Sequence, residues 1–244
     1  MKSQIKSLIF TLTFLTSTLF CSAQDDGKGT RFGFKFSPNF SWVKSNSTNL
    51  DGNGLGVGFS YGLMADFNLS DNYALSTELL VTSIRSKIKL TDDSLTYTNP
   101  DGFTDPPYDD VKMDYKLKYI QLPVSIKLKT DEIGSIKYWG QFGVSPSVLI
   151  SSNVKVESSP GFVESDFFGA NEDANDKLHF NEFEDNINFF RVSMILGAGI
   201  EYNISGNTSL VAGLRFDNSF IDMLNDKNRE AVNNYLGIHL GVFF

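Results

Sequence analysis

Seven charged residues, Lys35, Asp66, Glu78, Arg191, Glu201, Arg215 and Asp217, fall on the polar side of stretches in which apolar and polar residues alternate. Charges of both signs in such positions can line a transport path or neutralise one another as a structural network, and the second is the expected role. His239 lies in the same polar set. With Glu201 or Asp217 it would make part of a hydrolytic triad, but no serine is marked out by its context as the nucleophile, so a packed interior histidine is expected. The segment from Glu157 to Asn186 gathers nine acids and one lysine, densest at Asn171-Glu172-Asp173-Ala174-Asn175-Asp176. Oxygen-rich clusters bind calcium, yet this spacing follows no ordered calcium loop, and neither do Asp92-Asp93 or Asp109-Asp110. A solvated loop is the expectation, and no metal or cofactor is assigned. Phe162, Phe167, Phe168 and Phe183 interleave with these acids, which suits a loop that docks on a protein partner or packs over a mouth.

The elements that carry these residues read as strands. Between Leu55 and Leu69 the odd positions are Leu, Val, Phe, Tyr, Leu, Ala, Phe and Leu, and the even positions are glycine, serine, Met64, Asp66 and Asn68. That is a strand with one apolar face and one small or polar face. Phe32, Phe34, Phe36, Phe40 and Trp42 alternate in the same way with Arg31, Gly33, Lys35, Ser37, Asn39 and Ser41. Phe190 to Ile204 repeats it, with Arg191, Ser193, Gly197, Gly199 and Glu201 on the polar side. Further stretches begin near Tyr73, Met113, Ile136, Leu210 and Leu236, which brings the number of strands to eight. In two of them the apolar parity flips, after Ser83 and after Tyr119, as at a bulge or where a strand leaves the bilayer. Pro123 lacks a ladder donor and marks an irregularity.

Short connections near Ser70-Asp71-Asn72, Thr130 to Ser135 and Ser205-Gly206-Asn207 alternate with long ones at Lys44–Asn53, Thr91–Lys112, Glu157–Asn186 and Ile221–Asn233. Short periplasmic turns and long external loops are the pattern of a transmembrane barrel. Beyond the N-terminus no run of about 18 apolar residues exists, so the chain cannot cross a membrane as a helix. Residues 1–23 read as a secretory signal: Lys2 and Lys6, an apolar stretch from Leu8 to Phe20, and the small residues Cys21-Ser22-Ala23 before a cut. Residues 24–244 form the barrel domain. Once the signal is removed, 19 basic residues face 29 acidic ones, a net charge of −10 with no cysteine. That charge disfavours nucleic acid as a partner, and the missing thiols exclude cysteine catalysis and zinc–thiolate sites.

A soluble carrier barrel would also alternate, with its apolar side inward. The glycine-rich polar sets favour the opposite arrangement, because small residues suit a crowded interior. Phe67, Tyr73, Tyr138, Tyr202 and Phe244 gather near the short turns as an aromatic girdle, and Phe40, Trp42 and Phe220 begin a second. A one-residue slip would move Arg191 or Arg215 into lipid, at about 2 to 4 kcal/mol each. The expected fold is all-β, an eight-stranded antiparallel up-and-down transmembrane barrel of the bacterial outer membrane. A lumen of that size is filled by side chains, so a wide pore is not expected. Leu240, Val242 and Phe244 end the last strand as the signal read by barrel-assembly machinery. Together with outer-membrane lipid, that machinery completes the expected partners.

Four motifs carry a family likeness: Gly33-x-Lys35-x-Ser37-Pro38-Asn39-x-Ser41, the block Tyr119-Ile120-Gln121-Leu122-Pro123-Val124-Ser125-Ile126-Lys127, Gly197-x-Gly199-x-Glu201-Tyr202, and Gly237-x-x-x-Gly241-Val242-Phe243-Phe244. With them the chain resembles the PorT-like outer-membrane β-barrel proteins of Bacteroidota, although Ser37 stands where that pattern has its second glycine. The resemblance implies an outer-membrane barrel without one fixed activity. The expected role is a non-catalytic anchor or surface interaction module, and the specific form that the resemblance implies is one accessory to a PorT-type protein secretion system. A lipid-acting enzyme and a narrow transport channel are the alternatives.

Overall fold

The computed structural model describes residues 29–45, 50–90, 111–157, 171–172, 178–179, 187–206, 208–224 and 231–244. The signal segment 1–23, the acid pairs at 92–93 and 109–110, and Phe162, Phe167, Phe168 and Phe183 lie outside them. The strands are β1 (Thr30–Ser45), β2 (Leu50–Gly52), β3 (Gly56–Asn68), β4 (Tyr73–Leu90), β5 (Val111–Gln121), β6 (Val124–Lys129), β7 (Ile136–Glu157), β8 (Asn171–Glu172), β9 (Leu178–His179), β10 (Phe190–Ser205), β11 (Thr208–Ser219) and β12 (Ala231–Phe243). All pairings are antiparallel. The main sheet runs β10-β11-β12-β1-β3-β4-β5-β7, and β7 pairs back onto β10, so it closes. Of the ten strands in this sheet, β5 and β6 are two halves of one stave and β2 is a three-residue addition to β4, which leaves eight staves. The short β8–β9 hairpin is a separate two-stranded sheet and adds no stave to the wall.

Closure matters because a membrane strand has no water to satisfy an open edge. The tight ends are made locally. Gly134 and Gly206 have φ of +69° and +56°, the left-handed region that a side chain disfavours, and each sits in a short turn. The stave of β5 and β6 is divided at Leu122-Pro123, where proline removes a donor. The ladder is bridged there by Glu78 N–H donating to the Pro123 carbonyl at 3.0 Å and Leu122 N–H to Pro146 at 2.9 Å.

The apolar parity faces out. Val57, Phe59, Leu63, Phe142, Leu196 and Leu214 stand exposed on the wall, while Ser37, Asn39, Ser60, Ser76 and Gln121 are buried inside it. Tyr73, Tyr138, Tyr202 and Phe244 ring the short-turn end, and Leu240 and Val242 share the outer face with Phe244.

Two expectations need correction. β4 runs without a register shift, and its even residues point inward from Ala74 through Ile88. β5 likewise keeps its odd residues inward from Met113 to Gln121. The parity flips at Ser83 and Tyr119 are therefore not bulges: the lumen itself changes from polar to apolar. Val43, Leu50, Ile84, Ile88, Met113, Tyr115, Leu117, Tyr119 and Val154 form a buried cluster at the long-loop end. Arg85, Lys87, Lys116 and Lys118 occupy the outward positions of the same strands. The bulge lies on β7, where Lys118 pairs with Ser151 and Tyr119 with Leu149, so inward positions switch from odd to even. The lumen is thus not hydrophilic along its whole length.

Glycine at position 199 is demanded by a close approach. A Cβ there would lie 2.1 Å from the Ala212 carbonyl oxygen and 2.6 Å from the Trp139 ring. Gly199→Val is expected to abolish the folded, heat-modifiable gel band, whereas Ala198→Val, one residue along on the outer face, should keep it.

Candidate functional site

Among the described residues the inward polar side chains of the strands converge in the lumen, and they are layered. At the short-turn end Asp66 takes Lys127 Nζ at 2.9 Å, Ser76 Oγ at 2.7 Å, Lys129 Nζ at 3.3 Å and Arg31 Nη2 at 3.4 Å. Arg31 also grips Glu201, which accepts from Ser209 Oγ at 2.9 Å. The Phe243 ring lies 4.6 Å from the Arg31 guanidinium and 4.8 Å from Lys127 Nζ, so its face supports both cations. A cavity of about 320 Å³ opens here, walled by Arg31, Lys129, Lys137, Asn203 and Glu201.

One layer further along, Glu78 accepts from Lys35 Nζ at 3.0 Å and from Arg215 Nη1 at 2.7 Å and Nη2 at 2.5 Å. The Gln141 amide, turned with its oxygen toward Arg215, accepts from Nε at 3.0 Å. Met64, Trp139, Val211 and Phe243 pack as a small apolar cluster between this layer and the last. A third layer holds Arg191, which donates to Asp217 at 2.5 Å, to Ser193 Oγ at 3.1 Å and to the Asn233 carbonyl at 3.1 Å. Beyond it Tyr235 donates to Gln121 at 3.3 Å, and the apolar cluster of Ile84, Leu117 and Tyr119 begins.

All seven residues singled out from sequence point inward and are at most 4 % exposed. They form three groups rather than one. Arg31, Lys127 and Lys129 complete the innermost group but were not in that set. Lys127 alternates cleanly with Ile126 and Leu128, so parity alone could have found it. Arg31 and Lys129 lie at strand ends, where alternation carries less information. The three groups therefore join six cations (Arg31, Lys35, Lys127, Lys129, Arg191 and Arg215) to four anions (Asp66, Glu78, Glu201 and Asp217).

His239 is 2 % exposed, and its ring centroid is 5.3 Å from that of Trp139. Neither ring nitrogen has a hydrogen-bond partner. Glu201 and Asp217 are instead committed to Arg31 and Arg191, so the histidine–carboxylate pair of a triad is not assembled. No group of three potential metal ligands occurs among the described residues. Only the backbone of His179 is described, and residues 173–177 of the acidic segment lie outside the described set.

Residues 22–225 match the family of outer membrane protein beta-barrel domains. The chain belongs to this family. It is a protein of the bacterial outer membrane. A comparison with curated proteins found no match. Among solved structures the chain is similar to Ail, the attachment invasion locus protein of Yersinia pestis, crystallised with the heparin analogue sucrose octasulfate. That match has 13% identity and a TM-score of 0.39, covering 88% of this chain and 99% of that one. Neisserial surface protein A gives 18% identity and a TM-score of 0.39 over 88% and 99%. The outer membrane protease OmpT of Escherichia coli gives 9% identity and a TM-score of 0.37 over 88% and 95%.

Removing one member of a buried ion group strands its partners. Glu78→Ala leaves Lys35 and Arg215 without a counter-charge and is expected to cost about 3 to 5 kcal/mol in urea titrations of the lipid-reconstituted barrel. The triple replacement Lys35→Met, Glu78→Met, Arg215→Met should recover most of that loss.

Proposed function

We propose that this protein is a closed, non-catalytic barrel that anchors its long connections at the cell surface, where they recognise a protein partner. The observation that carries this reading is the stacking of seals in the lumen. The Lys35–Glu78–Arg215 layer fills the cross-section with paired charges, and the apolar cluster around Ile84 and Leu117 lies above it. An eight-stranded barrel is about as wide as its own inward side chains, so two such layers leave no water column for an ion to follow. The acid- and aromatic-rich segment between Glu157 and Asn186 supports recognition, since the closed wall beneath offers a rigid base for it. Leu240, Val242 and Phe244 on the outer face suit the engagement of barrel-assembly machinery. The Tyr119–Lys127 block, similar to PorT-like proteins, favours a secretion apparatus of the envelope as the setting in which that partner is found.

Planar-bilayer recording tests the central point. The purified wild type should be silent, and steps should emerge only when both layers are cut, as in Glu78→Ala, Arg215→Ala combined with Ile84→Ser, Leu117→Ser. Steady conductance of the wild type would overturn the reading. So would lipid turnover by the wild type that disappears in His239→Gln.

A further inference from the structure

The outward faces of β4, β5 and β7 change character abruptly toward the long-loop end. On β5 the last lipid-facing apolar residue is Ile120, and the next outward positions are Lys118, Lys116, Asp114 and Lys112. On β4, Val81 and Ser83 are followed by Arg85, Lys87 and Lys89, and on β7 Lys155 stands outward beyond the bulge. The register sets these residues side by side. Arg85 opposes Lys116, Lys89 opposes Lys112, which pairs in turn with Glu157, and Asp114 lies between Lys87 and Lys155.

Directly opposed like charges destabilise a sheet unless a counter-charge is supplied. Asp114 supplies one to Arg85, accepting from its Nε at 2.8 and 2.9 Å. Among the described residues Lys87, Lys116, Lys118 and Lys155 make no ion pair. A chain with a net charge of −8 has therefore concentrated seven cations on three neighbouring staves. The rest of the rim is mostly apolar: Phe40, Val57, Phe189, Phe190 and Phe220 are exposed there and Trp42 stacks on Phe216, with Lys44 following Trp42 on β1.

The height of the basic sector decides its partner. One outward step along a strand is about 7 Å, so Lys118 follows Ile120 at the distance at which hydrocarbon gives way to headgroups. Long basic side chains reach phosphates from such positions while their stems stay on apolar surface. We propose that the basic sector of β4, β5 and β7 holds phosphate-bearing lipid headgroups of the outer leaflet. A soluble polyanion would satisfy the same charges, but it has no use for the apolar belt that begins directly beneath them. The inference does not depend on whether the lumen conducts.

Spin-labelled lipids test it on the full folded chain in nanodiscs of phosphatidylcholine and phosphatidylglycerol. The wild type should retain the phosphatidylglycerol label at least about fivefold more strongly than the phosphatidylcholine label at low salt, because each basic residue near an anionic surface contributes on that scale. The preference should fall toward parity in Lys87→Gln, Lys116→Gln, Lys118→Gln, with the folded gel band retained. It should persist in Lys137→Gln at the short-turn end. Equal retention of both labels by the wild type, or an unchanged preference in the triple variant, would overturn the proposal. Binding of inositol hexakisphosphate to the detergent-solubilised wild type without any lipid preference would also overturn it, assigning the sector to soluble polyanions.

Discussion

A strand in hydrocarbon has nothing to bond with except another strand, and in this chain that demand organises the rest. The sheet must close, and it does so where β7 meets β10 from Ile136–Tyr202 to Val148–Phe190. Closure fixes which side of each strand is enclosed, and the enclosed side is where every lumen charge is found. The ion groups then hold the register from within, because sliding β10, β11 or β4 by one residue would turn Arg191, Arg215 or Glu78 toward lipid. Wall and contents constrain each other: the sheet encloses the charges, and the charges fix the register of the sheet.

The paired charges differ from a surface salt bridge in what surrounds them. Glu78 meets Arg215 and Lys35 with every one of these side chains at most 3 % exposed. Such a group gains little net stability over an apolar filling of the same shape, but it penalises any other arrangement heavily. Its value is in selecting one register among many. The glycines at 199 and 213 serve the same end by sterics, since the Trp139 ring occupies the space where their side chains would be.

Most of the wall was legible from alternation because a half-exposed strand writes its two environments into adjacent residues. β1, β3 and β10 show this most plainly. The upper halves of β4 and β5 were harder. There both faces change environment at once: the outer face leaves hydrocarbon and becomes basic, and the inner face becomes apolar. Alternation persists while its meaning inverts, so the parity flips at Ser83 and Tyr119 read equally as a bulge or as an exit from the bilayer, and Ile84 and Tyr115 are lumen residues of strands that carry no bulge. The true bulge, at Leu149–Ser151, falls in a run of apolar and small residues that carries little parity. The charge groups were read from parity, but their division into three layers depends on how strands distant in sequence meet, as Arg31 meets Glu201. No single-strand pattern encodes that. His239 illustrates the same limit, since its place beside Trp139 rather than beside a carboxylate follows from packing across β7 and β12.

The length of β7 has a mechanical consequence. Its 22 residues extend about 70 Å along the strand, and a lean of roughly 40° still leaves about 55 Å of height, well above the apolar thickness of a bilayer. On that side β4, β5 and β7 continue beyond the closed wall as a stiff three-stranded lip, which carries their ends at Leu90, Val111 and Glu157 above the apolar belt.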